Sequence, residues 1–258
     1  MFRHGSESRG FTLVELVVVI VLIGILAAVG ASFITKPMEG YVDLNRRAGL
    51  VDAADSALRR MQRDIRQALP NSILRHSGHH LELLHTVDGG RYRAEGPGDF
   101  LDFTQLDTGF DLIGALSDPP LAGQWLVVYN LTATGATANA YAGDNRALVT
   151  GGNLGRVDFA ATRFPFASPD RRFYLVDEAV SYLCSPNPVN PAAGTLVRQT
   201  AAPGTPGSAL VSRHVAACSF TYAPGTSQRA GLVTLALTLE SGGEQVTLMH
   251  QVHVENAP

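Results

Sequence analysis

The sequence predicts an α+β protein: a long apolar N-terminal helix continues into an amphipathic helix packed on an antiparallel, β-rich globular head. Three observations carry this. Residues 16–34, LVVVIVLIGILAAVGASFI, contain no charge. Residues 40–69 repeat apolar side chains at three- and four-residue steps, the period of one helix face. After Pro70 that period stops, and short apolar runs alternate with Gly, Pro, Asn and Asp. The chain has 258 residues, 45% hydrophobic and 17% charged, enough to bury a sizeable core. No internal repeat and no clear second-domain boundary interrupt it.

The first element is the uncharged run. Its length suffices to cross a hydrocarbon core as a helix. Arg3, His4 and Arg9 precede it, so the short tail is expected in the cytoplasm and everything after Lys36 outside. Gly24, Ala27, Ala28 and Ala31 place small residues along the helix, where backbones can approach closely. Glu15 stands at the edge of the run, and an ionisable group there is costly unless paired. A secretory signal would carry a shorter apolar region followed by a small-residue cleavage site. Here the break point lies before the run, in Arg9-Gly10-Phe11-Thr12-Leu13-Val14-Glu15-Leu16.

That segment resembles the class III leader of type IV pilins and pseudopilins. The resemblance implies a pilin-like fold and a cut after Gly10 by a prepilin peptidase, which also methylates the new N-terminal Phe11. Residues 1–10 are then the leader, 11–36 the transmembrane and assembly helix, and 37–258 a periplasmic head. Glu15 becomes the acidic residue at the fifth mature position, which pairs with the amine of a neighbouring subunit during assembly.

Pro37 is expected to kink or restart the helix. A second helical stretch is predicted over 40–69, with Leu44, Ala48, Val51, Ala54, Leu58, Met61, Ile65 and Leu69 as its apolar stripe and Pro70 as its stop. Arg59, Arg60, Arg63 and Arg66 read as a solvated face of that helix. The head, 71–258, is β-rich. Strands are predicted at 81–85, 91–94, 100–103, 125–131, 156–160, 173–176, 179–184, 195–199, 214–222, 231–239 and 244–254. Asp177-Glu178 reads as a two-residue hairpin connection, and Glu240–Gly243 as another. Asp144–Gly155 and 186–211 read as loops, the latter with one short strand.

Cys184 and Cys218 each sit in a strand-like run, without a CxxC or Cys/His cluster. In an exported head they can form one disulfide, and otherwise they are two buried thiols. The long head, the helix ending RRMQRDIRQALPNS, the late cysteine pair and the closing TLMHQVHVENAP resemble the MshO type of MSHA biogenesis minor pilin. They also look like J-type minor pseudopilins and W-type minor pilins.

No catalysis and no cofactor are expected. His76, His79, His80 and His85 crowd RHSGHHLELLH, where a metal site is conceivable; without a nearby acidic cluster or an HExxH helix they read as surface histidines. His250 and His253 are three apart on one strand, hence on opposite faces. GGNLGR at 151–156 lacks the strand–helix setting of a phosphate loop, and no GxSxG is present. A net charge of −3 gives no reason to expect nucleic acid. The expected function is structural: a minor pilin in the inner membrane that helps prime a type IV pilus of the MSHA type. Its implied partners are prepilin peptidase, an inner-membrane platform protein, other minor pilins and the major pilin. A type II secretion pseudopilin and a tip adhesin are the alternatives.

Overall fold

The computed structural model describes residues 10–226 and 229–256, without the side chains of residues 31, 32, 34–37 and 39. Two compact units divide the chain, Met1–Ala48 and Gly49–Pro258. Helix α1 (Leu13–Arg66) contributes to both. Six strands follow it: β1 (Leu74–Ser77), β2 (His80–Tyr92), β3 (Asp107–Ile113), β4 (Trp125–Val128), β5 (Arg146–Asn153) and β6 (Arg156–Thr162). Then come β7 (Arg172–Ser185), β8 (Thr195–Ala201), β9 (Gly207–Arg213), β10 (Val215–Ala223), β11 (Gly231–Ser241) and β12 (Glu244–Val254).

The helix does not restart at Pro37, since one helix, Leu13–Arg66, runs through position 37. A proline deletes one N–H from the ladder, and the turns on either side hold without that rung. The helix also stops at Arg66, short of the expected Leu69. There the backbone turns to β2 for its partners: Thr86 N donates to Gln67 O at 2.8 Å and Leu69 N to Leu84 O at 2.7 Å.

The strands form a nine-stranded sheet, ordered β1-β2-β3-β6-β5-β4-β7-β8-β9, and a three-stranded sheet, β10-β11-β12. Neighbouring strands run antiparallel. In the larger sheet β2 also pairs with β7, so β2-β3-β6-β5-β4-β7 closes on itself. The length of β2 permits this: His80–Arg91 lies along β7, while Arg91 and Tyr92 reach β3. Closure leaves these six strands without a free edge over the paired stretches. They share one core, with Phe110 packed against Phe173, Phe159 and Tyr92 at ring-centroid distances of 5.2, 5.9 and 6.1 Å.

A second core joins α1 to both sheets. Leu50, Ala54, Ala57, Leu58, Met61 and Ile65 are buried with Leu81, Leu83, Val180 and Tyr182 of the larger sheet. Phe220, Val233, Leu235, Leu237 and Val252 of the smaller sheet complete it. Each fully buried aliphatic side chain here contributes about 1.5–3 kcal/mol. The predicted stripe holds from Ala54 onward, but Leu44, Ala48 and Val51 are exposed, and Leu50 and Ala57 are buried instead. The arginines 59, 60, 63 and 66 lie on the exposed face, as expected.

Four local expectations are corrected. Asp177-Glu178 is no turn: β7 continues through it with a register shift against β2 at Asp177, and Asp177 and Glu178 find His85 and Arg198 as partners in mid-strand. Asp144–Gly155 is largely β5, which forms a hairpin with β6. Gly152 (φ 140°) marks a close approach, since a Cβ there would meet Arg156 O at 2.3 Å. Residues 100–103 form no strand; Leu101 is buried from an irregular segment, and the strand is β3. The loop at 186–211 holds β9 as well as β8. The hairpin of β11 and β12 stands, tightened to a two-residue turn at Gly242 (φ 58°) and Gly243 (φ 85°). Positive φ at both positions suits the twist of the flanking strands.

A polar network ties α1 to the larger sheet. Asp64 is buried and accepts from Tyr182 Oη at 2.8 Å and from Arg198 Nε at 2.7 Å. Arg198 also pairs with Glu178. Burial opposes the charge on Arg198, but hydrogen bonds to Asp64 and Glu178 outweigh it and raise its pKa. Burial, with Asp64 beside it, holds the Tyr182 hydroxyl far above its ordinary range. Next to this cluster His85 Nδ1 lies 2.7 Å from Asp177 Oδ1, and its Nε2 lies 3.2 Å from Gln67 Oε1.

Replacing Asp64 by Ala strips Tyr182 and Arg198 of their shared acceptor. Urea unfolding of Asp64→Ala should show a loss of about 3 kcal/mol, and a change below about 0.5 kcal/mol would refute the anchoring role. The hydrogen bond to Asp177 raises the pKa of His85 against the opposing effect of burial. A raised folded pKa adds stability that is complete below the unfolded value of about 6.5 and is lost as pH climbs through the folded value. The stability advantage of wild type over His85→Gln should therefore shrink between about pH 6 and pH 9, read from urea midpoints. A constant difference would contradict this.

Candidate functional site

The N-terminal end of α1 is built by the local sequence. Thr12 stands just before the first helical residue, and its Oγ1 accepts from Glu15 N at 3.3 Å. Its carbonyl accepts from Leu16 N at 3.2 Å. Thr-x-x-Glu is a capping-box sequence, in which the threonine satisfies an orphan N–H of the first turn. The helix start is therefore fixed at Leu13, and Glu15 falls in its first turn, where the helix dipole favours a carboxylate. The Thr12-x-x-Glu15 spacing is the sequence signal for this cap.

Gly10 and Phe11 precede the cap in extended, exposed chain, and Phe11 is 74% exposed. Arg3, His4 and Arg9 lie outside the described residues. From Leu13 to Gly30 every side chain is exposed, and the segment is long and apolar enough to cross a membrane. Gly24, Ala27 and Ala28 share one face of it at helical spacing. The side chain of Ala31 is outside those described. So large an apolar surface is favourable against lipid or among similar helices.

In the head, the histidines separate. His85 belongs to the Asp177 cluster. His76 on β1 and His80 on β2 stack with ring centroids 4.3 Å apart, and His76 Nε2 lies 2.8 Å from Glu82 Oε2. Burial and the neighbouring His76 lower the pKa of His80, partly offset by Glu82. His79 is exposed in the turn between them. His250 is half-buried, 3.7 Å from Asp55, while His253 points the other way and is exposed, so the expected opposite faces are found. The 151–156 glycines serve the β5–β6 hairpin.

Cys184 of β7 and Cys218 of β10 are bonded to each other, and both are buried. The bond staples the larger sheet to the smaller one. Of the two states open to the sequence, the structure has the disulfide.

The chain thus presents a capped, apolar, membrane-competent helix with an acidic residue in its first turn, ahead of a β-rich head. Residues 6–31 match the prokaryotic N-terminal methylation motif. That motif indicates a type IV pilin-like protein, either a pilin or a pseudopilin, and implies prepilin peptidase processing and membrane association. Motif and helix together fit single-pass anchoring in the inner membrane. No curated protein and no solved structure matches the chain significantly.

The disulfide closes a loop spanning 34 residues. In the chain-entropy model such closure contributes about 4 kcal/mol. Cys184→Ser/Cys218→Ser should lower the Tm by about 10 °C, and freshly isolated wild-type protein should yield no alkylatable thiol before reduction. Two reactive thiols would rule out the bond in the cell.

Proposed function

We propose that the chain is a minor pilin that takes part in priming a type IV pilus and carries no catalytic activity. The observation that carries this is the position of Glu15. The Thr12 cap places it in the first helical turn, four residues after Phe11, inside a matched methylation motif. A cut between Gly10 and Phe11 exposes an amine on Phe11, which the peptidase methylates. The Glu15 carboxylate of one subunit then pairs with that amine on a neighbour within an otherwise apolar bundle. An unpaired charge there would be costly, so the pairing sets the axial register of the subunits. Gly24, Ala27 and Ala28 allow the helices to approach closely. The head lies in the periplasm or at the pilus tip, where the Cys184–Cys218 bond is sustained. Its partners are the prepilin peptidase, the platform protein, sibling minor pilins and the major pilin. The MSHA type is the finer reading, supported by the late cysteine pair and the closing strand.

A pseudopilin of type II secretion is the second reading, favoured by the same motif, which both classes carry. Gly10→Glu should retain the leader, so N-terminal sequencing should miss Phe11. Glu15→Ala should be processed normally yet fail to assemble. Deletion of the gene should abolish surface pili while the major pilin is still made and cut. Normal piliation would reject priming, and secreted enzymes trapped in the periplasm would point to the pseudopilin.

A further inference from the structure

We propose that the β1–β2 hairpin binds one divalent transition-metal ion of the zinc class through His76, His80 and Glu82. The three side chains converge on one face of the hairpin. His80 and Glu82 are two residues apart on β2, hence on the same side, while Leu81 and Leu83 point the other way into the core. His76 joins them from β1, where the strand register shifts between Arg75 and Ser77. One ligand atom from each residue lies within 4.8 Å of the others.

The donors suit the ion. Two imidazoles and one carboxylate favour zinc over calcium or magnesium, which prefer all-oxygen cages. A tetrahedral zinc with bonds of about 2.1 Å needs its ligand atoms about 3.4 Å apart. The His76 side chain, 42% exposed and stacked on His80, would have to turn out of that stack for the set to reach this spacing. His80 also has a nitrogen, Nε2, that is shielded from solvent and has no hydrogen-bond partner. A fourth position is left for water.

The scaffold is rigid. Gly78 O in the hairpin turn accepts from Phe220 N at 2.7 Å, and His79 O accepts from Cys184 N at 2.9 Å. The turn is therefore bonded to both β10 and β7, the two strands that the disulfide joins. By contrast, a second cluster of metal-ligating side chains among the described residues, His85, Asp177 and Glu178, has Arg198 paired to Glu178, and that cation opposes a second one. The bound ion would hold β1 onto β2 beside the junction of the two sheets.

The test uses the full chain in detergent, stripped with a chelator and titrated with zinc chloride by calorimetry. One equivalent should bind per chain, and Co2+ should give the intense visible bands of tetrahedral coordination. His80→Ala and Glu82→Gln should each weaken binding tenfold or more, while His253→Ala and His85→Gln bind as wild type. No saturable one-to-one binding would overturn the proposal. So would unchanged affinity in both hairpin variants, or loss of binding in His85→Gln. Circular dichroism of the stripped variants confirms that the hairpin substitutions leave the fold intact.

Discussion

Leu58, Met61 and Ile65 meet two sheets at once, and the head is organised around that meeting. Neither sheet is large enough to bury its apolar face alone. The larger one has six of its nine strands in its own closed ring, and the smaller has three strands. A single helical stripe set between them gives each a partner. Hydrophobic packing alone leaves the helix free to rotate or slide by small steps, because apolar contacts are not directional. Asp64 removes that freedom. Its carboxylate receives Tyr182 and Arg198 from two neighbouring strands, and only one rotation and height of the helix satisfies both. The disulfide adds a covalent tie between the sheets on the same side of the core.

The first half of α1 answers to a different solvent. Between Leu13 and Gly30 it has no buried side chain, and its surface is apolar on every face. Such a helix is unstable as a water-exposed rod and favourable in lipid or among similar helices. Within this surface, the polar groups at the start have a defined task. Thr12 satisfies a backbone N–H that would otherwise be orphaned, and the Glu15 carboxylate stands in the same exposed first turn. The cap and the charge are thus parts of one device, and a substitution at Thr12 would disturb the placement of Glu15 without touching its charge.

What the sequence disclosed followed from periodicity and motif. The apolar run, the buried face from Ala54 to Ile65 and the β11–β12 hairpin were legible because each repeats one pattern over many residues. The strand boundaries in the middle of the head were not. Asp177-Glu178 has turn composition, but its charges are matched by His85 and Arg198 from distant parts of the chain. Gly152 looks like a loop residue, yet it permits a close approach within the β5–β6 hairpin. In the first case the decisive partners are distant in sequence, and local propensity cannot see them. The site residues divide in the same way. Gly10, Phe11 and Glu15 lie in one linear motif, whereas His76, His80 and Glu82, although close in sequence, are brought onto one face by the bulged β1–β2 register.

Strand β2 shows how these parts depend on one another. Its middle pairs with β7, its end closes the ring through β3, and its opposite margin receives Gln67 to Leu69 as they leave the helix. Its start carries His80 and Glu82 and turns into β1 against β10. A shift of one residue along β2 would invert every side chain in it, exposing Leu81 and Leu83 and burying Glu82. The same shift would move the backbone that holds the end of α1. The register that buries the leucines therefore also fixes where the helix ends and where the histidines face. Residues at the hairpin and at the helix terminus are thus set by one constraint.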